Sequence, residues 1–245
     1  MPADASGRPT TDTAGWRPVT RSRTYQLVVD AVEEQILGGA LKVGDHLPPE
    51  RELATLLGAS RPAVREGLRM LEARGVLQTV GAGPGSATVV TALPGEALTH
   101  LLRLHLALSS FRNTDVVEAR VMLERRSAVL AALHASPAER DRMREVLERM
   151  ADPTLSMEAF NELDTDFHVS LADASDNLLV ADMTRAIRGA VRDALLQEFR
   201  KRGEWAGTAA RLSAEHRAIY EAVVAGDPAA AAEATERHIR GFWQG

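Results

Sequence analysis

The chain has 245 residues, of which 45% are hydrophobic, and it carries 29 Lys and Arg against 34 Asp and Glu. These values are typical of a globular protein of one or two domains. Cysteine is absent, which excludes disulfide and thiolate chemistry and suits a reducing cytoplasm. Residues 1–20 are a predicted flexible tail without an apolar run for a signal peptide, and no later segment is apolar enough to span a membrane. We therefore expect a cytoplasmic protein with no membrane partner.

Residues 21–91 predict a small mixed unit that opens with a helix from about 23 to 37. Leu27, Ala31 and Leu37 are the predicted buried side of this helix. The paired glycines that follow it favour the end of a helix.

Two shorter helices are predicted next, around a tight turn. The first runs from about 50 to 57 and stops at Gly58. The second begins after Ser60, a good N-cap, with Pro62 in its first turn. The apolar stripe of the second helix contains Val64, Leu68 and Leu71.

Three arginines repeat every fourth residue on another face of that second helix. They are Arg61, Arg65 and Arg69. A helix, a turn with a Gly and a second helix with a cationic face are typical of a helix-turn-helix, whose second helix enters the DNA major groove. The plainer alternative is a solvated charged face.

Short β-like runs at 76–80 and 88–91 flank a loop rich in Gly and Pro, which completes the pattern of a winged helix-turn-helix. Residues 1–91 hold ten Lys and Arg and ten Asp and Glu, so this unit has no net charge. DNA-binding domains usually carry a basic excess. The arginines of the second helix must therefore act by placement rather than by bulk attraction, with a shallow salt dependence.

Residues 95–243 predict an all-α bundle of about seven helices, so the fold class is mainly α: an N-terminal winged helix-turn-helix followed by a C-terminal bundle. Ser136-Pro137 opens one helix, and Gly226-Asp227-Pro228 separates the last two. The predicted helices lie at about 95–109, 114–134, 137–150, 156–174, 177–201, 207–225 and 228–243.

Hydrophilic residues interrupt the apolar stripes of four of these helices. Asp164 and His168 lie one turn apart on the inner face of one helix, a workable spacing for two metal ligands. His216, His238 and Arg120 occupy comparable positions on three other helices. One carboxylate with three imidazoles suits a divalent metal such as Zn, Ni, Mn or Fe. A buried Arg suits a bidentate anion such as a carboxylate.

Each of these residues also has a plainer interpretation. The DxxxH pair can form an ion pair on the helix surface, and a single buried histidine is usually satisfied within the core. Arg120 can pair with Glu124 one turn further on, which is the commoner use of such a residue.

Several segments together resemble a known family. LPPERELATLLGASRPAVREGLRMLEARGVL resembles the N-terminal signature of the GntR family of bacterial transcription regulators. VVEARVMLE, NELDTDFHVSLADASDN and EHRAIYEAVVAGDPAAA resemble the helical ligand-binding domain (FCD type) of its FadR branch. The resemblance extends over about residues 21–243 and implies a DNA-binding domain at 21–91 and an effector- and metal-binding domain at 95–243.

The resemblance also implies roles in DNA binding. Arg51, Arg61 and Arg65 are expected to contact operator phosphates or guanine edges, and the wing is expected to approach the minor groove. The complete implied DNA-binding set is Arg51, Ser60, Arg61, Arg65, Gly81 and Gly83.

In the bundle, the resemblance implies a metal-binding quartet and an effector site beside it. Arg120 corresponds to an arginine that holds an effector carboxylate, and Asn177 corresponds to a pocket position. The implied metal ligands are Asp164, His168, His216 and His238.

From these observations we expect a homodimeric, metal-containing transcription factor, a repressor, that binds a near-palindromic DNA operator and responds to a small carboxylate-bearing metabolite. The alternatives are a metal-sensing regulator, a metal-dependent hydrolase with a DNA-binding appendage, and a helical interaction module. Glu215 lies next to His216 in sequence but about 100° away around the helix, which makes it a poor general base for a hydrolase.

Overall fold

The structure, a computed structural model, describes residues 23–81, 83, 86–91, 94–108, 111–201 and 203–244. The predicted tail at 1–20 lies outside the described residues. The chain divides into two compact units, Met1–Ala92 and Leu93–Gly245. The prediction of a mainly α fold with a winged helix-turn-helix and a helical bundle is confirmed.

The first unit contains three helices and a two-stranded antiparallel sheet within its described residues. Leu77 pairs with Val90, and Val80 pairs with Ala87. The segment before the second helix runs along the other edge of the sheet, where Leu47 N donates to Thr88 O at 2.8 Å. The elements are α1 (Arg23–Leu37), α2 (Glu50–Leu56), α3 (Arg61–Ala73), β1 (Leu77–Val80) and β2 (Ala87–Val90).

Helix α3 begins where its sequence predicts, directly after Ser60. Ser60 Oγ accepts a hydrogen bond from Ala63 N at 3.3 Å, which satisfies one of the unpaired N–H groups of the first turn. Gly75 follows the helix with a φ of +69°, a left-handed conformation that favours glycine. The predicted stripe of Val64, Leu68 and Leu71 is buried.

The prediction for the buried side of α1 was wrong. Leu27 is 65% exposed and Leu37 is 87% exposed, whereas Val28, Val29 and Val32 are buried. The two apolar stripes are adjacent on the helix, so periodicity alone does not choose between them. Packing against α3 decides, because Val28 lies directly over Gly67.

The second unit is a bundle of seven helices in its described part, in agreement with the predicted number. Its core is formed by Phe160, Phe167, Leu212, Ile219 and Val223, among others. The helices are α4 (Pro94–Leu108), α5 (Asn113–His134), α6 (Pro137–Met150), α7 (Met157–Asp173), α8 (Leu178–Lys201), α9 (Trp205–Val224) and α10 (Pro228–Gln244).

Helix α7 lies at the centre of this arrangement. It packs against α5, α6, α8 and α9, and α10 packs against α5 and α9. Polar side chains on the inner faces of α5, α7, α8, α9 and α10 therefore converge in the bundle interior. In the part of the chain that the structure describes, no helix is long and apolar enough to cross a membrane.

Close packing at Gly67 generates the first prediction. An alanine Cβ at this position would lie 2.8 Å from Val28 Cγ1 and 3.1 Å from Tyr25 O. Although alanine favours a helix by about 1 kcal/mol over glycine, we expect Gly67→Ala to lower the free energy of unfolding, by about 1–3 kcal/mol. Urea denaturation followed by circular dichroism measures the change.

Gly241→Ala on α10 is the matched control, because a Cβ there meets no atom within 4 Å. It is expected to leave stability unchanged or raise it. The double variant Val28→Ala/Gly67→Ala should recover part of the loss relative to the sum of the single changes. Equal stability of Gly67→Ala and the wild type would contradict the packing argument.

Candidate metal centre and DNA-binding surface

Four buried side chains from three helices meet in the bundle interior. Asp164 and His168 come from one face of α7, His216 from α9 and His238 from α10. One ligand atom of each residue lies within 4.8 Å of the corresponding atoms of the others. The structure thus brings together all four residues that the sequence singled out as metal ligands.

The distances between the donor atoms fit a metal ion. His168 Nε2 lies 3.2 Å from His216 Nε2 and 3.3 Å from His238 Nε2. Asp164 Oδ1 lies 3.1 Å from His216 Nε2. An ion with metal–ligand bonds of about 2.0–2.1 Å separates neighbouring ligand atoms by roughly 3.0–3.4 Å. Three imidazoles and one carboxylate are also a donor set that suits divalent first-row metals.

Two carboxylates contact the far side of the imidazole rings. His168 Nδ1 lies 2.7 Å from Glu124 Oε2, and His238 Nδ1 lies 2.8 Å from Glu215 Oε2. A carboxylate at Nδ1 favours a proton on that nitrogen and leaves the lone pair of Nε2 directed at the centre. Glu124 and Glu215 therefore position two of the candidate ligands.

The electrostatics keep these groups in the protonation states that bind metals. Burial lowers the pKa of His168 to about 3 and that of His238 to about 4. Burial alone would raise the pKa of Asp164, but the charge of Arg188 and the hydrogen bond with His216 hold it well below its usual value. At neutral pH the site therefore presents neutral imidazoles at His168 and His238 and an ionised carboxylate at Asp164.

Two buried arginines adjoin the metal ligands. Arg120 Nε donates to Glu124 Oε1 at 2.7 Å, so the structure shows the pairing that was the plainer alternative for this residue. Arg188 of α8 pairs with Asp164 Oδ2 through Nη2. Both arginines line a cavity of about 10 Å³ beside the metal ligands, which is the room of about one water molecule. The cavity is lined by Arg120, Asp164, Arg188, Leu195, Phe199, Leu212, His238, Ile239 and Phe242.

The structure does not bring Asn177 to this cavity. Its side chain is exposed, and its Oδ1 accepts a hydrogen bond from Val180 N at 3.1 Å in the first turn of α8. The geometry is that of an N-cap, a role typical of Asn at this position.

The predicted DNA-binding residues lie on the surface of the first unit. Arg51 on α2 and Arg61 and Arg65 on α3 are exposed. Arg65 is held by Glu50 through Nη2 at 2.9 Å and Nε at 3.2 Å, a two-pronged ion pair that fixes the direction of its guanidinium. The Arg65 contact and nearby Arg61 also keep the pKa of Glu50 below its usual value.

The wing follows β1. Gly81 and Gly83 have φ values of +87° and +79°, which favour glycine and bend the chain back toward β2. Residues 82, 84 and 85 of the predicted wing lie outside the described residues. Ser60, the remaining predicted residue, is exposed at the start of α3, where it caps the helix.

Comparison with known proteins decides the family. Residues 24–90 match "Bacterial regulatory proteins, gntR family", and residues 115–241 match "FCD domain". HTH-type transcriptional regulator LutR of Bacillus subtilis (strain 168) is 31% identical over 209 residues, 83% of this chain and 92% of the relative. The protein belongs to the GntR family of bacterial transcription regulators and carries an FCD domain.

Other matches agree with this assignment. The Glc operon transcriptional activator of Escherichia coli (strain K12) is 29% identical over 221 residues, 88% of this chain and 85% of the relative. A solved structure, Streptococcus agalactiae GntR, has a TM-score of 0.64 at 24% identity and covers 90% of this chain and all of its own, which shows the shared fold. The GntR family consists of DNA-binding transcription regulators, so this protein is a DNA-binding transcription regulator and not an enzyme, and the hydrolase alternative was wrong.

Sequence reasoning missed three positioning residues of this regulator. Glu124 was considered only as a partner of Arg120, yet it also contacts His168. Glu215 was considered only as a general base, yet it orients His238 from across the helix pair. Arg188 went unnoticed, although Val191 and Leu195, three and seven residues further on, place it on an apolar stripe of α8.

The exposed position of Arg65 and its ion pair with Glu50 lead to a prediction about DNA binding. We expect Arg65→Ala to raise the Kd for a specific duplex by about 10- to 100-fold, the loss typical of one bidentate arginine–base contact. The duplex is selected from a random pool with the wild-type protein, and binding is measured by fluorescence anisotropy at fixed salt.

Arg74→Ala is the control, because Arg74 is exposed at the end of α3 and pairs with Glu33 of α1. Its Kd should match that of the wild type. If Arg65→Ala retains wild-type affinity with an unchanged circular dichroism spectrum, Arg65 does not contact the bases.

The lowered histidine pKa values generate a prediction about pH. The pKa of His168 and His238 is about 3 and about 4 in the folded chain, against 6.5 for an ordinary histidine. Below pH 6.5 the unfolded state therefore binds more protons, so the stability of chelator-treated protein should fall as pH decreases from 6.5 to 5. Unfolding should take up about one proton at pH 6.5 and nearly two at about pH 5, and the uptake follows from the urea midpoints at each pH.

His238→Gln should remove about half of this dependence, and His134→Gln on the exposed end of α5 serves as the control variant. A slope that is the same in His238→Gln and the wild type would show that His238 is not buried in its neutral form.

Proposed function

We propose that this regulator binds a near-palindromic operator as a homodimer in the cytoplasm and responds to a small organic acid that binds beside a divalent metal in the FCD domain. The observation that carries the proposal is the convergence of three imidazole nitrogens and one carboxylate oxygen within 4.8 Å in a buried position. Buried polar groups are usually paired or coordinate a metal, and this donor set suits a divalent first-row metal.

At the DNA end, Arg51, Arg61 and Arg65 contact phosphates or guanine edges, and Gly81 and Gly83 let the wing approach the minor groove. The exposure of the three arginines and the ion pair that orients Arg65 support these roles. Ser60 supports the same surface by capping the helix that presents Arg61 and Arg65.

At the effector end, Asp164, His168, His216 and His238 hold the metal, whose chemistry is that of a Lewis acid that attracts an anionic ligand. Zn, Ni, Mn and Fe all suit the donor set. Arg120 lies on the wall of the adjoining cavity and supplies a positive charge for a carboxylate. Asn177 is not part of this proposal, because its side chain caps α8.

The proposed direction of regulation is repression, in which the acid favours the state that does not bind DNA. The relative named Glc operon transcriptional activator shows that similar proteins also activate. Either outcome requires that the ligand binds the two states with different affinities. A promoter fusion with and without the regulator distinguishes the two directions.

A second candidate function is metal sensing, in which the metal is itself the signal. The small cavity favours it, since about 10 Å³ admits about one water molecule and an organic acid would have to displace its walls. In this case metal alone changes operator affinity, and no acid changes it further.

The experiment measures operator affinity by fluorescence anisotropy for the chelator-treated protein, the Zn²⁺-loaded protein, and the Zn²⁺-loaded protein with each of a panel of carboxylic acids. Metal content is measured by mass spectrometry on the same samples. We expect about one Zn²⁺ per chain in the wild type, less in His216→Ala, and an acid-dependent change of Kd only when Zn²⁺ is bound.

His134→Ala, an exposed histidine on α5, is the matched control and should keep full metal content. A change of Kd with Zn²⁺ alone would favour metal sensing. Absence of Zn²⁺ from the wild type, with stability unchanged by chelation, would favour the helical interaction module and overturn the metal-dependent proposal.

A further inference from the structure

Arg188 is a buried cation with unpaired donor groups. Its side chain is fully buried on α8, and its Nη2 contacts Asp164 Oδ2. Among the residues that the structure describes, Nε and Nη1 have no hydrogen-bond partner, and Nη1 lies 3.7 Å from Glu124 Oε2, beyond hydrogen-bond distance. Unpaired N–H groups on a buried charged side chain are costly, so this guanidinium can accept a further anionic partner.

Arg188 also lines a cavity in which an anionic partner would lie close to the candidate metal ligands. It lines the same space as Arg120, Asp164 and His238, beside the candidate metal ligands. Arg120 already donates its Nε to Glu124 at 2.7 Å. Each arginine thus engages one nitrogen in a hydrogen bond, and Arg188 offers its unpaired Nε and Nη1 as a second position for an anion beside Arg120.

The charges of the buried groups indicate how much negative charge the ligand carries. Arg120 and Arg188 are balanced by Glu124 and Asp164, all of which are buried. The half-buried Glu215 has its own partner in Arg211, at 2.6 Å. A divalent ion held by neutral imidazoles and Asp164 adds two uncompensated positive charges in a medium of low dielectric constant.

We propose that Arg188 forms a second anion-binding position in the metal cavity, so that the effector is a short dianion, most simply a dicarboxylate. Two negative charges restore neutrality around a divalent ion, whereas a monocarboxylate leaves one buried positive charge unbalanced. This inference rests on the proposed function, and it adds the charge of the ligand and the residue that selects it.

The size of the cavity limits the length of this ligand. About 10 Å³ holds about one water molecule, so a dicarboxylate must displace the apolar wall formed by Leu195 and Phe199 of α8. The ligand therefore binds only an expanded arrangement of the bundle, which is the differential affinity that a regulatory ligand requires. A short chain between the carboxylates keeps this displacement small.

The test compares two ligands of nearly equal shape. Malonate carries two carboxylates, and its half-amide, malonamate, carries one. Isothermal titration calorimetry with the Zn²⁺-loaded full chain, freed of excess metal by dialysis, should give a Kd for malonate about tenfold or more below that for malonamate. Chelator-treated protein should bind neither, because its buried charges already balance. Metal content is measured before and after titration to exclude extraction of Zn²⁺ by malonate.

Arg188→Gln should raise the Kd for malonate by about tenfold or more and leave that for malonamate nearly unchanged. Arg185→Gln is the matched control on the same helix, because Arg185 is exposed and pairs with Asp173 and Asp182. If Arg188→Gln loses its helical circular dichroism spectrum or its Zn²⁺, the relative affinity of the wild type for malonate and malonamate is the deciding measurement.

The outcomes distinguish failure of the dianion inference from failure of the proposed metal-dependent function. Equal affinity of the wild type for malonate and malonamate, or an unchanged malonate Kd in folded, Zn²⁺-loaded Arg188→Gln, overturns the dianion inference and leaves the metal-dependent regulator intact. A wild-type chain that retains no Zn²⁺ and binds no acid overturns both.

Discussion

Charge compensation inside the helical bundle is the constraint on which the second unit depends. Arg120, Glu124, His168, Asp164 and Arg188 form one continuous chain of polar contacts that joins α5, α7 and α8. Each charge is buried only because its neighbour has the opposite sign, and removing one member leaves another unpaired in an apolar interior. The network therefore holds the helices in register and also sets the charge that a metal and its ligand meet.

The same contacts explain why the candidate metal site is ready at neutral pH. Burial disfavours protonated imidazole, and the arginines disfavour protonated carboxylate, so both effects leave lone pairs for a cation. Glu124 and Glu215 orient the rings from outside. The surrounding protein sets the protonation state, the tautomer and the orientation of these ligands. They therefore need little rearrangement when a metal binds.

In the first unit the important charges are exposed rather than buried. This unit has no net charge, so we propose that its affinity for DNA depends on where a few arginines point. Glu50 holds Arg65 in one orientation, and Ser60 fixes the start of the helix that presents Arg61 and Arg65. Gly67 lets this helix approach α1 closely enough to bury Val28. The candidate DNA-binding surface is therefore supported by contacts on the exposed side of α3 and on the side that packs against α1.

The sequence by itself determined the elements, the family and the four candidate metal ligands, because helix caps, turn glycines and the i, i+4 spacing of Asp164 and His168 are local features. It did not determine which face of α1 is buried, the capping role of Asn177, or the positions of Arg188 and Glu215. Those depend on side chains far apart in the chain: Val28 over Gly67, Arg188 against Asp164, and Glu215 against His238. Only the packed helices decide such pairs, since burial and charge balance belong to the neighbours that a residue meets rather than to its place in the sequence.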